Sequence, residues 1–294
     1  IFFYNFFASL LRSLGNSVVP LVFLAVSAFL NIGLDLWFVA GLDRGVAGAA
    51  QATVISQYVS GIGIAVYTWV KAPELLRPEN GVRLRLNRIR EITGFSALTC
   101  LQQSIMNLGI LAVQGLVNSF GTTVMAAFAA AVKIDAFAYL PVQDFGNAFS
   151  VFVAQNFGAG KKERIREGIR AAVRVSVIFS LLVSLAVFLF ARPLMTLFID
   201  AKEAAVVAEG VRYLRIEGSF YFMIGGLFLL YGLYRALGKP GMSVVLTVVS
   251  LGVRVALAYA LSSIPAAGVV GIWCSVPIGW FLADALGIGY YWKK

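Results

Sequence analysis

Apolar runs of about 20 residues or more recur along the whole chain, and no other feature narrows its fold as far. Each run is long enough to cross a hydrocarbon core of roughly 30 Å. Backbone polar groups inside lipid must be bonded within their own segment, so the runs are helices. Alternating ten-residue strand patterns are absent, which excludes an outer-membrane barrel. A chain of 294 residues that is 60% hydrophobic and 13% charged does not describe a water-soluble domain. The expected class is an all-α polytopic membrane protein.

Nine spans are read from the pattern, at about 1–11 (the tail of one), 18–40, 45–70, 92–118, 122–155, 166–199, 205–237, 241–264 and 267–292. Turn residues separate them, among them Gly15-Asn16, Gly121 and Lys239-Pro240-Gly241. The basic loops alternate. Arg12, the Lys and Arg residues of 71–90 and 161–174, Arg235, Lys239, Lys293 and Lys294 fall on one side and make up 17 of the 24 positive residues. That side is expected to be cytoplasmic, with the C-terminus inside, in the cell membrane. The 200–217 stretch is the exception, an outer loop where Lys202, Arg212 and Arg215 are balanced by Asp200, Glu203, Glu209 and Glu217. The net charge of +10 is therefore an orientation signal, and no nucleic-acid partner is expected. Cys100 and Cys274 lie alone in separate apolar runs and read as small buried side chains. No histidine is present, so the commonest zinc ligand and general base are missing.

An internal repeat organises the spans. LLRSLGN at 10–16 resembles LYRALGK at 233–239, and GVAGAA at 45–50 resembles GVVGIW at 268–273, both offset by 223 residues without a gap. The offset maps the first three spans onto the last three, so the repeating unit has six spans and its copies share one orientation. The expected domains are 1–70, a partial first copy holding its helices 4–6; 71–91, a basic cytoplasmic linker; and 92–294, a complete second copy with helices 7–12. The chain begins within an apolar run at Ile1, so three further spans are expected before it, making nine of twelve present.

A polar site interrupts the second span. NIGLD at 31–35 sets Asn31 and Asp35 four residues apart, on one helix face. An ionisable group inside a membrane is costly and points to function by default. Asp35 lies about 9 Å from the outer end of its span and Thr53 about 12 Å below the same surface, so the two can meet. Carboxylate, amide and hydroxyl oxygens are hard donors suited to a small cation. A carboxyl group takes either a proton or Na⁺, and both stay open; apart from a possible Na⁺ at Asp35, no metal and no cofactor is expected. At the repeat offset Asn31 corresponds to Arg254, Asp35 to Ala258 and Thr53 to Val276, so the scaffold glycines recur and the triad does not. The plainer alternative is an Asp35 buried and bonded to neighbouring helices, or one reaching the outer interface.

Lys133 and Asp135 sit deep in the 122–155 span, near Pro141 and Asp144, and two residues apart they do not share a face. Asp135 or Asp144 could attract a cationic substrate, although interhelical hydrogen bonding is the preferred reading. Arg254 and Asp284 could pair between the last two spans. Phe137, Tyr139, Phe145 and Phe149 could line an apolar cleft, packing being the commoner role. The stretch QNFGAGKKERIREG at 155–168 lacks phosphate-loop spacing, so no nucleotide is expected.

In order along the chain, LRSLGN, Pro20, FLNIGLD, GVAGAA, QGLVNSFG, AVKIDAFAYLP and FVAQNFGAGKKER resemble the multidrug and toxic compound extrusion (MATE) transporters. The resemblance covers the whole chain. It implies a two-lobe bundle with a V-shaped cleft and export of cationic or amphiphilic drugs in exchange for H⁺ or Na⁺. Members with an N-lobe cation site carry an acid on the first helix, an Asn and an Asp four apart on the fifth and a Thr on the sixth. The last three match Asn31, Asp35 and Thr53. Another branch has an acid on the seventh helix, where this chain reads LTCLQQSIMN, with Gln102 and Gln103 and no carboxylate. Gln102, Asp135, Tyr139 and Asp144 are the candidates for the substrate cleft.

The expected function is cation-coupled antiport by alternating access, by a monomer whose partners are membrane lipid and small organic cations. A lipid-linked oligosaccharide or peptidoglycan-precursor flippase of the wider superfamily is the alternative. It would need several cationic residues for pyrophosphate, and this chain offers mainly Lys133 and Arg254 at membrane depth. A membrane-embedded enzyme lacks histidine, a metal cluster and a nucleophile motif.

Overall fold

A computed structural model describes residues 1–73 and 86–293. Among these, every regular element is helical: α1 (Phe2–Ser13), α2 (Val18–Asp35), α3 (Gly45–Lys71), α4 (Leu86–Asn118), α5 (Thr122–Gly158), α6 (Lys162–Thr196), α7 (Ala204–Gly218), α8 (Tyr221–Ala236), α9 (Pro240–Ser262) and α10 (Gly268–Trp292). Seven of the helices are long and apolar enough to cross a membrane. The chain is a multi-pass membrane protein. It divides into two compact units, Ile1–Arg85 and Leu86–Lys294. Of the expected linker, residues 74–85 lie outside the described residues. Its last part is already helical, since α4 begins at Leu86 and carries an Arg88–Glu91 pair at 3.0 Å.

One expected span is corrected. Residues 205–237 do not form a single rod but two helices, α7 and α8, bent by 52° at Ser219 and Phe220. Tyr213 and Glu217, near the end of α7, are packed into the core rather than turned to solvent. Glu217 and Gly218 close α7, and the chain turns before the apolar α8 begins. A second departure from a plain helix follows Asp35. Residues Leu36–Gly41 form a π-helical stretch, with Leu42 N donating to Trp37 O at 2.9 Å. The cysteine expectation is half right. Cys274 is partly buried, but Cys100 is exposed.

The repeat is realised at its turns. After α1, Gly15 has φ +87° and Asn16 N donates to Leu11 O at 3.0 Å. After α8, Gly238 has φ +75° and Lys239 N donates to Tyr234 O at 2.8 Å. Both are left-handed glycine stops of the kind that satisfies helix-end carbonyls. A methyl at Gly48 would lie 3.1 Å from Phe38 O, and one at Gly271, its counterpart, 3.1 Å from Leu261 O. Glycine keeps both hairpins tight.

In the second unit the main core draws on every helix from α4 to α10, around buried Trp273, Tyr213, Leu214, Leu246 and Ile272. Helices α5 and α8 cross closely because Gly146 and Gly232 face each other's backbones; a methyl at Gly146 would lie 2.8 Å from Phe228 O. Lipid supplies no hydrophobic drive between helices, so such small-residue contacts hold the bundle by packing.

Candidate functional site

Two polar features stand out, one in each unit. The first is a seam between α2 and α3. Ser60 Oγ donates to Phe23 O at 3.3 Å, Ser27 Oγ to Ser56 O at 3.0 Å, and Asn31 Nδ2 to Thr53 Oγ1 at 3.5 Å. Positions 23, 27 and 31 follow at one helical turn each, so the stripe continues to Asp35, level with Ala49 across the seam. Ala49 has no polar side chain, and its carbonyl already accepts the Thr53 hydroxyl at 3.0 Å. Asp35 is half-buried, and its Oδ1 is shut off from solvent without a hydrogen-bond partner. The structure thus joins Asn31 to Thr53 and sets Asp35 one turn beyond them, beside the π-helical stretch. Thr53 itself is exposed, so this seam is open on one side.

The second feature is a cavity of about 240 Å³ within the second unit, lined from α4, α5, α7, α8, α9 and α10. Asp135 and Tyr139, both expected in a cleft, line it. Asp135 is held across the α7–α8 bend: the Tyr213 hydroxyl donates to Oδ2 at 2.6 Å from α7, and the Tyr221 hydroxyl donates to Oδ1 from α8. Tyr213 is fixed in turn by the Trp273 ring at 4.8 Å between centroids, while Trp273 Nε1 donates to Glu209 Oε1 at 2.9 Å. The same cavity takes Glu217 from α7 and Arg254 from α9.

Glu217 read in sequence as one of several balancing charges of an outer loop; it is instead 5% exposed. A signal was available, since Tyr213 and Glu217 stand four residues apart, as neighbours on one helix face do. The expected Arg254–Asp284 pair is also corrected. Among the described residues the ion pairs within 4.0 Å are three i,i+3 pairs, none involving either side chain. Asp284 turns toward α8, where glycine at 226 leaves it room, and Arg254 turns toward the cavity, where its charge acts on Asp135 and Glu217.

The remaining candidates scatter. Gln102 lines a separate cavity of about 140 Å³ with Gln103, Gln143 and Arg235, whose Nη2 donates to Asn147 Oδ1 at 2.8 Å. Asp144 is exposed on α5 and lines neither cavity, because the Gly146 face of that helix turns to α8 instead. Lys133 is exposed, its Nζ 5.8 Å from the Phe198 ring centroid. Of the aromatic set, Phe149 is core and Phe137 is 76% exposed.

The MatE family profile matches residues 99–260. A probable multidrug resistance protein of Bacillus subtilis, YpnP, is 34% identical over the whole chain, which spans 66% of its length. A second from the same organism, YoeA, is 26% identical, and the chain spans 65% of it. Among solved structures, a variant of the Vibrio cholerae MATE transporter VcmN is similar with a TM-score of 0.89 at 24% identity, covering 99% of this chain and 65% of that one. Helix order, the glycine-stopped repeat and these matches agree, and the chain belongs to the MatE family of multidrug and toxic compound extrusion transporters.

Proposed function

We propose that this chain is part of a cation-coupled antiporter that exports cationic and amphiphilic compounds across the cytoplasmic membrane by alternating access, with its C-terminus inside. Asn31, Asp35 and Thr53 hold the coupling ion, H⁺ or Na⁺. The observation that carries the reading is Asp35 Oδ1, desolvated and unpartnered at the end of a polar seam whose other members are bonded. A buried carboxylate oxygen without a partner costs free energy that a proton or a small cation removes. If one conformation desolvates Asp35 more than the other, ion binding shifts the balance between them by that difference in affinity. The multidrug names of the Bacillus subtilis relatives support the substrate class.

The flippase alternative finds less support. The Asp135 cavity brings two carboxylates to one guanidinium, a poor host for pyrophosphate, and Lys133 stands outside its lining. The test is dye efflux by the reconstituted full-length protein with pH and Na⁺ gradients imposed separately. Efflux driven by one of them and lost in Asp35→Asn supports the reading; efflux indifferent to both gradients ends it.

A further inference from the structure

At the basic end of the second unit a cavity of about 470 Å³ opens among the start of α6, the α8–α9 turn and the last turn of α10. Arg166, Tyr234, Leu237, Lys239, Tyr290 and Tyr291 line it, two cations and three tyrosines with no carboxylate among them. Lys239 is set by the glycine stop before it. Gly238 has φ +75°, Lys239 N donates to Tyr234 O at 2.8 Å, and Pro240 begins α9. The Lys239 ammonium lies 5.6 Å from the Tyr290 ring centroid. Tyr234 is wall rather than ligand, since its hydroxyl donates to Gly287 O at 2.6 Å and its ring meets Tyr290 edge-on. Arg166 comes from α6, and its Nη1 meets Glu163 Oε1 at 3.0 Å. A guanidinium carries five N–H donors in a fork, so it takes a second acceptor beside the first.

The repeat shows which of these residues the scaffold needs. At the offset of 223, Tyr234, Leu237, Lys239, Tyr290 and Tyr291 stand where the first unit has Leu11, Leu14, Asn16, Tyr67 and Thr68. The register holds across both hairpins. A methyl at Gly61 would lie 3.6 Å from Phe3 Cβ, and at the matching pair one at Gly226 would lie 3.2 Å from Asp284 Oδ2. Leu237 and Tyr290 are thus shared with the first copy, whereas the ammonium and the other two tyrosines belong to the second alone. Asn16 Oδ1 accepts from Val19 N at 3.2 Å, a turn contact within its own loop. In the second copy the same position carries a charge beside a cavity.

We propose that this cavity seats the phosphate headgroup of an anionic phospholipid, held by Arg166 and Lys239 and flanked by Tyr290 and Tyr291. Contact with bulk lipid, expected of any spanning chain, names no site; here the fold builds one. Arginine meets phosphate with its planar fork, and lysine adds a point charge. Basic pockets between spans at headgroup level bind anionic lipids in this manner. Tyrosine belongs at the same level, where its ring is apolar and its hydroxyl wet. A zwitterionic headgroup fits less well. The lining offers its ammonium no carboxylate, and Lys239 lies against the Tyr290 ring that could attract it. The site is separate from ion coupling at Asp35, which belongs to the first unit.

Native mass spectrometry of the purified, delipidated full-length protein counts the lipid retained after phosphatidylglycerol or phosphatidylcholine with the same acyl chains is added. No ion gradient and no drug is present, so the outcome is independent of the efflux test of Asp35. One phosphatidylglycerol per chain is expected to be held at least ~10-fold more tightly than phosphatidylcholine. That preference is read in the unmodified protein and needs no variant to fold. Arg166→Gln together with Lys239→Gln should abolish it. Arg170→Gln together with Arg174→Gln removes as much charge at exposed positions of α6 outside the lining and should leave it intact. Glycerol phosphate, the soluble form of the same chemistry, should not displace the lipid. Equal retention of the two lipids by the unmodified protein would overturn the proposal. So would an equal loss in both double variants, which marks diffuse surface charge, or displacement by glycerol phosphate, which marks a soluble occupant.

Discussion

The α2–α3 hairpin and the α9–α10 hairpin are two versions of one design, and they part company along the seam. Their stops and tight glycines coincide at an offset of 223 residues. In the first, the seam is a ladder of side-chain hydroxyls and an amide, half open and ending at an unpartnered carboxyl. In the second, Ser27 and Ser56 become Ser250 and Gly279, and the helices close until a methyl at 279 would collide with the Ser250 carbonyl. The places of Asp35 and Thr53 are taken by Ala258 and Val276, which are 0% and 1% exposed. The place of Asn31 is taken by Arg254, which leaves the seam for the neighbouring cavity. Turn chemistry is shared because both copies must make the same hairpin. Seam chemistry is free to differ, and the polar seam found in one copy alone is the contrast on which the cation site proposed at Asp35 rests.

The sharpest way to break that contrast is at its centre. Asp35→Asn should cut cation-driven efflux at least ~10-fold, about 1.4 kcal/mol of coupling. Ala258→Ser, at the matching position, should leave efflux unchanged. Comparable losses would mean that the two hairpins do the same work. Next in size is packing. Gly279→Ala drives a methyl into a backbone carbonyl and should cost about 1–3 kcal/mol, seen as a lower Tm. Ser56→Ala removes only a hydroxyl bonded to Thr53 O at 3.0 Å and should cost about 1 kcal/mol.

A finer contrast comes from the ligands around the acid. Asn31→Ala should raise the half-saturating cation concentration several-fold, whereas Arg254→Gln should leave it where it is. The smallest expected effect is the shared one. Gly15→Ala and Gly238→Ala each force a left-handed turn on an L side chain, and each should cost about 1 kcal/mol. Unequal costs would show that the two stops are not equivalent.

The class, the spans and the repeat were legible in the sequence because lipid leaves so few solutions for a backbone. Turn glycines announced the hairpins for the same reason. The α7–α8 bend was not legible: its apolar half reads as a span, and only packing of Glu217 and Tyr213 into the core turns the chain there. Asn31 and Thr53 were found by spacing, which is local. Arg254 was paired with the wrong carboxylate, because its choice between Asp284 and the cavity depends on the space beside Gly226, which spacing along the chain does not encode. Glu217 was passed over because a charge near a loop reads as solvated until burial is known.

The account turns on a cation held at Asp35, and cation binding can be counted directly. Labelled Na⁺ bound, or protons released on adding substrate, should be measured on the purified full-length protein and on Asp35→Asn. The account predicts one monovalent cation per chain in the wild type, lost in the variant. An unchanged count in Asp35→Asn would contradict it.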